Sequence, residues 1–298
     1  MRSRTSRRTV VMRRWVGLES WRTLAVPKIP SVLKRLQRWI QNKSGIGENR
    51  DALDIMRRRV DALAAVQQQH LPEELALPWI PDGLHGISTA IHRADAMFRY
   101  PLSVSGGSWH RVAQEYFDTG RELAETLKRV NPAPKALLDF GCGYGRVGRF
   151  LPQAFPESQR WAYDPKGGAV AFQQAHWGAQ PWNGQPVDLI VAGSVFTHLR
   201  PERAASELQL LTQALRPGGT LVVTLHDFAP QTSVHALTEE SALPELEEQI
   251  SASEYVSVHF SEADWNQQIP HGYTCIRQTE RFGGTQQILV IRRAEPIG

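Results

Sequence analysis

Three glycines at alternate positions, Gly141, Gly143 and Gly145, follow an acid, Asp139, at the end of an apolar run, Ala136-Leu-Leu-Asp-Phe140. Glycine lets a chain reverse sharply and lets backbone approach a ligand with no Cβ in the way. The spacing therefore suits a turn wrapped around a small molecule. Gly143, Gly145 and Gly148 also spell GxGxxG, which alone is weak evidence for a dinucleotide. A second acid, Asp164, ends the next apolar run, Arg160-Trp-Ala-Tyr-Asp164, where a carboxylate can accept hydrogen bonds from both hydroxyls of a ribose. Two histidines, His198 and His226, follow later apolar runs, and each suits a general base or a structural loop cap. His259 and His271 stand further on, as lower-ranked pocket residues. No His or Asp pair has metal-ligand spacing.

These residues need elements to hold them. Short apolar segments at Ala136–Phe140, Arg160–Asp164, Val187–Ala192 and Thr220–Leu225 alternate with helical stretches, one of them from about Pro201 to Leu215. A helix is also expected directly after the glycine turn. This alternation predicts an α/β fold with a doubly wound, mostly parallel sheet. In such sheets ligands bind at the carboxyl ends of the strands. Tyr255–Phe260 and Gln287–Arg292 are candidate terminal strands, one of them antiparallel. Ahead of the sheet, Trp109 to Val130 reads as one helix, stopped by Asn131-Pro-Ala-Pro134.

The rest of the chain divides by composition. Residues 1–49 form a basic arm, 50–108 a helix and a loop-rich linker, and 109–298 the α/β domain. Residues 1–50 hold thirteen Lys or Arg against Glu19 and Glu48, a net +11, which leaves −7 for the remainder. The high pI therefore belongs to the arm. Residues 1–43 could contact nucleic acid or an anionic membrane, or be a solvated tail. Leu53, Met56, Val60 and Leu63 predict a second helix, whose seam could dimerise or pack; oligomeric state is left open. No apolar run is long enough to span a bilayer. Two cysteines, Cys142 and Cys275, make neither a disulfide framework nor a zinc site, and point to the cytoplasm.

Leu137-Leu-Asp-Phe-Gly-Cys-Gly-Tyr-Gly145, Asp164, Val187-Asp-Leu-Ile-Val-Ala-Gly-Ser-Val-Phe-Thr-His-Leu199 and Leu215-Arg-Pro-Gly-Gly-Thr-Leu-Val-Val223 occur in that order. In these motifs the chain resembles the class I methyltransferases that use S-adenosylmethionine (SAM), over roughly residues 110–293. The phrase Gly193-Ser-Val-Phe-Thr-His-Leu199 is similar to a bacterial subgroup. The resemblance implies a Rossmann-like fold with an N-terminal helical extension. It implies that Asp139, Gly141, Gly143 and Gly145 surround the methionine part of SAM, that Asp164 binds ribose, and that Gly193 and Ser194 lie beside the sulfonium. Tyr116, on the helix before the sheet, would cover the cofactor. Arg146, at the expected start of the helix after the turn, would pair with its carboxylate, since helix N-termini favour anions, or be a solvated surface arginine. One departure is plain. Only 24 positions separate Asp164 from Asp188, and no adenine-binding acid lies between them, so backbone and apolar contacts are expected to hold adenine.

The acceptor expected is a small molecule or saccharide hydroxyl or amine. Three alternatives compete: an NAD(P)-binding oxidoreductase of Rossmann type, a nucleic-acid methyltransferase using the basic arm, and a non-catalytic SAM-binding relative. Asp139 argues against the first, because a diphosphate is disfavoured beside a carboxylate. The second lacks the Asp/Asn-Pro-Pro-Tyr/Phe element after the fourth strand; Gly193-Ser-Val-Phe stands there instead.

Overall fold

The computed structural model describes residues 74–75, 77, 81–104, 109–236 and 256–295. All lie within the unit Gln68–Gly298. The basic arm and the helix expected over 50–69 lie outside the described residues.

The elements, in chain order, are β1 (Glu74–Leu75), β2 (Ile91–His92), α1 (Ala96–Val104), α2 (Trp109–Val130), β3 (Ala136–Phe140), α3 (Leu151–Ala154), β4 (Gln159–Tyr163), α4 (Gly167–Trp177), β5 (Gln180–Pro181), β6 (Val187–Ala192), α5 (Pro201–Ala214), β7 (Leu215–Leu225), β8 (Ser233–Ala236), β9 (Val256–His259), α6 (Glu262–Gln267), β10 (Tyr273–Phe282) and β11 (Gln286–Arg293). Seven strands form one sheet in the order β5-β4-β3-β6-β7-β11-β10. β5, β4, β3, β6 and β7 are parallel, and β11 runs antiparallel between β7 and β10. The strand order reverses beside β3, so the glycine turn stands at the switch point of the sheet, where α/β folds bind ligands.

Period-two alternation divides the sheet's apolar side chains between two cores. Leu137, Leu189, Val191 and Val222 pack with Val112, Phe117, Leu123 and Leu127 of α2. Leu138, Ile190, Leu221 and Val223 pack with Leu208 and Leu211 of α5 and with Phe260 and Trp265. α2 presents its apolar residues at three- and four-residue steps, which is why one stripe of a 22-residue helix can be buried.

Four readings of the sequence need correction. The helix expected after the glycine turn is only a 3₁₀ turn, Gly148–Phe150, and one α-helical turn, α3. Tyr255–Phe260 is not a strand of the main sheet. Its residues 256–259 pair with β8 in a separate antiparallel ladder. β10 was not anticipated; its outer face is largely exposed and polar, so its sequence lacks a continuous apolar run. The loop-rich stretch before Trp109 contains α1, and its Leu84, Ile87, Ile91 and Phe98 are buried in the α2 core. Among the described residues, no helix is long and apolar enough to cross a membrane.

Candidate functional site

Every residue of β3 is buried, and Asp139 sits four residues in, 5% exposed. Its Oδ2 has no hydrogen-bond partner among the described residues. Burial pushes its carboxyl up to about 7; the nearby Gln173 side chain pulls it down, Asp164 raises it and Arg146 lowers it. The turn that follows is held by backbone. Gly141 and Cys142 donate N–H to the Tyr163 carbonyl at 2.7 and 3.0 Å, and Gly143 donates to Asp164 Oδ2 at 2.8 Å. Gly143 and Gly145 both have positive φ, 49° and 82°. They differ in their surroundings. A Cβ on Gly145 would lie 2.1 Å from Trp177, whereas one on Gly143 would meet nothing within 4 Å. Gly143 therefore faces open space.

A buried arginine braces this turn from behind. Arg149, 2% exposed, donates to the carbonyls of Gly145 (2.8 Å), Ser88 (2.9 Å), Ala90 (3.0 Å) and Tyr144 (3.2 Å) and to the Tyr116 hydroxyl (3.1 Å). Tyr116 in turn donates to Asp95 Oδ2 at 2.6 Å. The sequence suggested that Tyr116 covers a cofactor. It is instead buried behind the turn, as a strut between Arg149 and Asp95. From α4, Gln173 Nε2 donates to the Cys142 and Gly143 carbonyls at 2.9 and 3.1 Å, and Trp177 Nε1 donates to Gln173 Oε1 at 3.0 Å. Sequence reasoning did not single out Gln173; its only signal is a buried polar side chain in a helix that follows Asp164.

Asp164 lies just past β4. Its Oδ2 accepts from Gly143 and its Oδ1 from Lys166 N at 2.9 Å. A carboxylate has about four lone-pair sites, so these two bonds leave room for further donors. Burial raises its pKa, against the two backbone bonds and the nearby Lys166. The short span before Asp188 contains the two-residue strand β5 and then Trp182. The Trp182 ring lies 6.3 Å edge-on from Tyr163, and Tyr163 stacks on Phe140 at 4.9 Å. The short span without an acid thus carries the Trp182 ring, beside that of Tyr163.

At the ends of β6 and β7 a polar knot gathers residues that are distant in sequence. Ser194 is the single non-glycine among the described residues with positive φ, 59°. Its N–H donates to Thr224 Oγ1 at 2.7 Å. Its hydroxyl lies 2.9 Å from Gln286 Nε2, and Thr224 donates to Gln286 Oε1 at 2.6 Å. Arg146 Nη2 reaches Ser194 Oγ at 3.3 Å, with its guanidinium 4.6 Å over the Phe282 ring. A Cβ on neighbouring Gly193 would touch Leu123 and Phe282. Gln286, Thr224 and Phe282 were not singled out in the sequence, because β10 and β11 bring two of them in from the far end of the chain.

His198 and His226 occupy the same edge. His198 Nδ1 lies 2.9 Å from the Val256 carbonyl, which fixes the proton on Nδ1 and leaves the lone pair on Nε2. Burial lowers its pKa, partly offset by that carbonyl. His226 follows β7, with its pKa lowered by burial and by His259 and His198, and raised by Asp227. His259 lies on β9 and stacks on His226. His271 stands before the first residue of β10, at the opposite edge of the sheet, and so does not join them. Among the described residues, no group of three His, Cys, Asp or Glu could hold a metal ion.

A family model described as a methyltransferase domain matches residues 108–269. A malonyl-[acyl-carrier protein] O-methyltransferase of Methylococcus capsulatus is 31% identical over 124 residues, 37% of this chain and 44% of the relative. A trans-aconitate 2-methyltransferase of an Acidovorax species is 27% identical over 144 residues, 45% of this chain and 55% of the relative. The chain thus spans about half the length of the curated relatives it matches. Among solved structures, a 1,6-didemethyltoxoflavin-N1-methyltransferase of Burkholderia thailandensis aligns with a TM-score of 0.47 at 17% identity, over 70% of this chain and 94% of that one.

Proposed function

Because the chain belongs to the methyltransferase-domain family, we propose that it moves a methyl group from SAM to an oxygen or nitrogen of a small molecule or sugar. When bound, SAM supplies a methyl group activated by a positively charged sulfonium. One observation carries the reading: Asp139 holds an unpartnered, buried carboxylate oxygen at a glycine turn whose Gly143 faces open space. A cationic ligand offsets the burial of that carboxylate, whereas a diphosphate is repelled by it. In this reading Asp139, Gly141, Gly143 and Gly145 hold the methionine end. Asp164 holds the ribose through its remaining lone pairs, Tyr163 and Trp182 hold adenine, and Gly193 and Ser194 border the sulfonium.

The protein's own task is to position the acceptor and to take up its proton. His198 suits the second task, since its Nδ1 is committed to the Val256 carbonyl and burial keeps the ring neutral near pH 7. His226 lies further along the same edge. A second reading, a carboxylate acceptor, is favoured by the two curated relatives, since malonyl and aconitate groups both carry carboxylates. Such an acceptor is already ionised at neutral pH and needs no base.

Calorimetric titration with SAM, S-adenosylhomocysteine and NAD tests the reading. Micromolar binding of both SAM species is expected, lost in Asp139→Ala and Asp164→Ala. NAD binding with no SAM binding would overturn it. His198→Gln then separates the acceptors. A hydroxyl or amine acceptor loses about 10²–10⁴-fold in rate, and a carboxylate acceptor little.

A further inference from the structure

The β8–β9 ladder has two unlike faces. Val256 and Val258 turn into the core shared with α5. Ser257 and His259 alternate with them and face the other way. Across the ladder, Ser233 pairs with His259 and His235 with Ser257, so all four share that second face. His226 closes on it from the end of β7. The His226 and His259 rings stack with centroids 4.4 Å apart and planes 16° from parallel. His235 meets the His259 ring edge-on at 5.9 Å. The Ser257 hydroxyl lies 3.3 Å from His226 Nε2, and the Ser233 hydroxyl 3.1 Å from His235 Nε2. Three imidazoles and two hydroxyls therefore gather at one place. Two residues back along β7 from His226 is Thr224, which binds Ser194.

Apolar packing does not explain this group, because His235 is exposed and His226 and His259 are half-exposed. Nor does a metal. Rings stacked face to face do not converge their lone pairs on one point, as tetrahedral ligation requires. The charges packed around the face are His198, Asp227, Arg281 and Asp264. His198 makes protonation of His226 harder. Asp227 favours it, but Arg281 Nη2 already engages that carboxylate at 3.0 Å. Asp264, on α6, accepts from the Thr232 hydroxyl and the Ser261 side chain caps its helix. Protonating the imidazoles thus sets like charges side by side, with the neighbouring carboxylates bonded elsewhere. An anion from solution is the missing counter-charge.

We propose that the Ser233/His235/Ser257/His259 face and His226 hold an oxyanion of the methyl acceptor, a carboxylate or a phosphate. This deepens the methyl-transfer reading and rests on it. The imidazoles donate to the oxyanion in their protonated form, so the site tightens as pH falls through the imidazole range and loosens as it rises.

The test is proton NMR of the histidine ring signals in the full chain, titrated from acid to base. Inorganic phosphate and succinate are the probes, each with and without S-adenosylhomocysteine. His226→Gln and His259→Gln assign the signals. A saturating probe is expected to raise the His226 and His259 midpoints by about one pH unit, which corresponds to about tenfold tighter binding to the protonated face. A larger rise with succinate assigns the site to a carboxylate, and a larger rise with phosphate to a phosphate group. His259→Gln is expected to weaken the probe about tenfold and to leave S-adenosylhomocysteine affinity unchanged. Midpoints that neither probe moves, in protein that binds S-adenosylhomocysteine, overturn the oxyanion site and leave methyl transfer standing. Midpoints that move in protein that binds no S-adenosylhomocysteine support the oxyanion site and overturn the methyl-transfer reading.

Discussion

The glycine turn and the histidine face stand at the same edge of one sheet and are built in opposite ways. The turn is made of backbone: its N–H groups are tied to Tyr163 and Asp164, and its carbonyls are gripped from behind by Arg149 and Gln173. The histidine face is made of side chains, on a ladder whose strands lie outside the main sheet. A rigid backbone cradle suits a ligand that never changes. A side-chain face can be altered one residue at a time without disturbing that cradle. In the proposed reading the contrast separates cofactor from acceptor, and each substitution below should break one half and spare the other.

The largest effect is expected at Arg149. Arg149→Met strips a charged donor from four carbonyls, two of them buried, and should lower stability by at least about 3 kcal/mol. Denaturant unfolding measures this, and cofactor binding should weaken with it. If stability stays unchanged, Arg149 is not the brace of the turn. Next come two glycines of one turn. Gly145→Ala drives a Cβ into Trp177 and should cost about 2–4 kcal/mol through overpacking and left-handed strain. Gly143→Ala should cost only about 1 kcal/mol yet abolish S-adenosylhomocysteine binding, because its Cβ enters open space. Equal stability losses in the two would show that the turn has no open side.

Asp139 gives a pH test. Its folded-state pKa of about 7 lies above the ordinary aspartate value of 3.8, so the folded chain binds the proton more tightly than the unfolded one. Stability of the ligand-free protein should therefore be full below about pH 4 and fall as pH rises towards 7. Asp139→Asn should remove that fall and raise stability at pH 8 by about 1–3 kcal/mol. Binding of a cationic ligand should expel the Asp139 proton at pH 6, which appears as a binding enthalpy that depends on the buffer. A buffer-independent enthalpy at pH 6 would place the ligand's charge away from Asp139. The smallest effect is expected at Ser194. Ser194→Gly relieves a positive φ but loses the hydroxyl contacts to Gln286 and Arg146. Stability should move by less than about 1 kcal/mol, while turnover falls.

Much of the geometry of the glycine turn was legible in the sequence. Asp139, the alternate glycines and Asp164 form near-contiguous motifs, and their job is done by local backbone geometry that the residue types themselves impose. The parallel strands were legible for a similar reason: a strand buried on both faces is an unbroken apolar run. β10 was not, since an edge strand with an exposed face carries no such run. The helix after the turn was overestimated: it ends at its cap, Phe155, whose helical backbone the following Pro156 disfavours. The second half was hidden in another way. His226, His235 and His259 looked like scattered histidines, and Gln286 and Thr224 had no visible signal. Their meeting depends on an antiparallel strand inserted between β7 and β10 and on a ladder joining residues 233–236 to 256–259. The glycine turn itself could be read from the sequence, because nearest-neighbour backbone chemistry is written in consecutive residues. The histidine face and the Ser194 knot were left to strand order and register, which join segments about 25 to 60 residues and more apart in sequence.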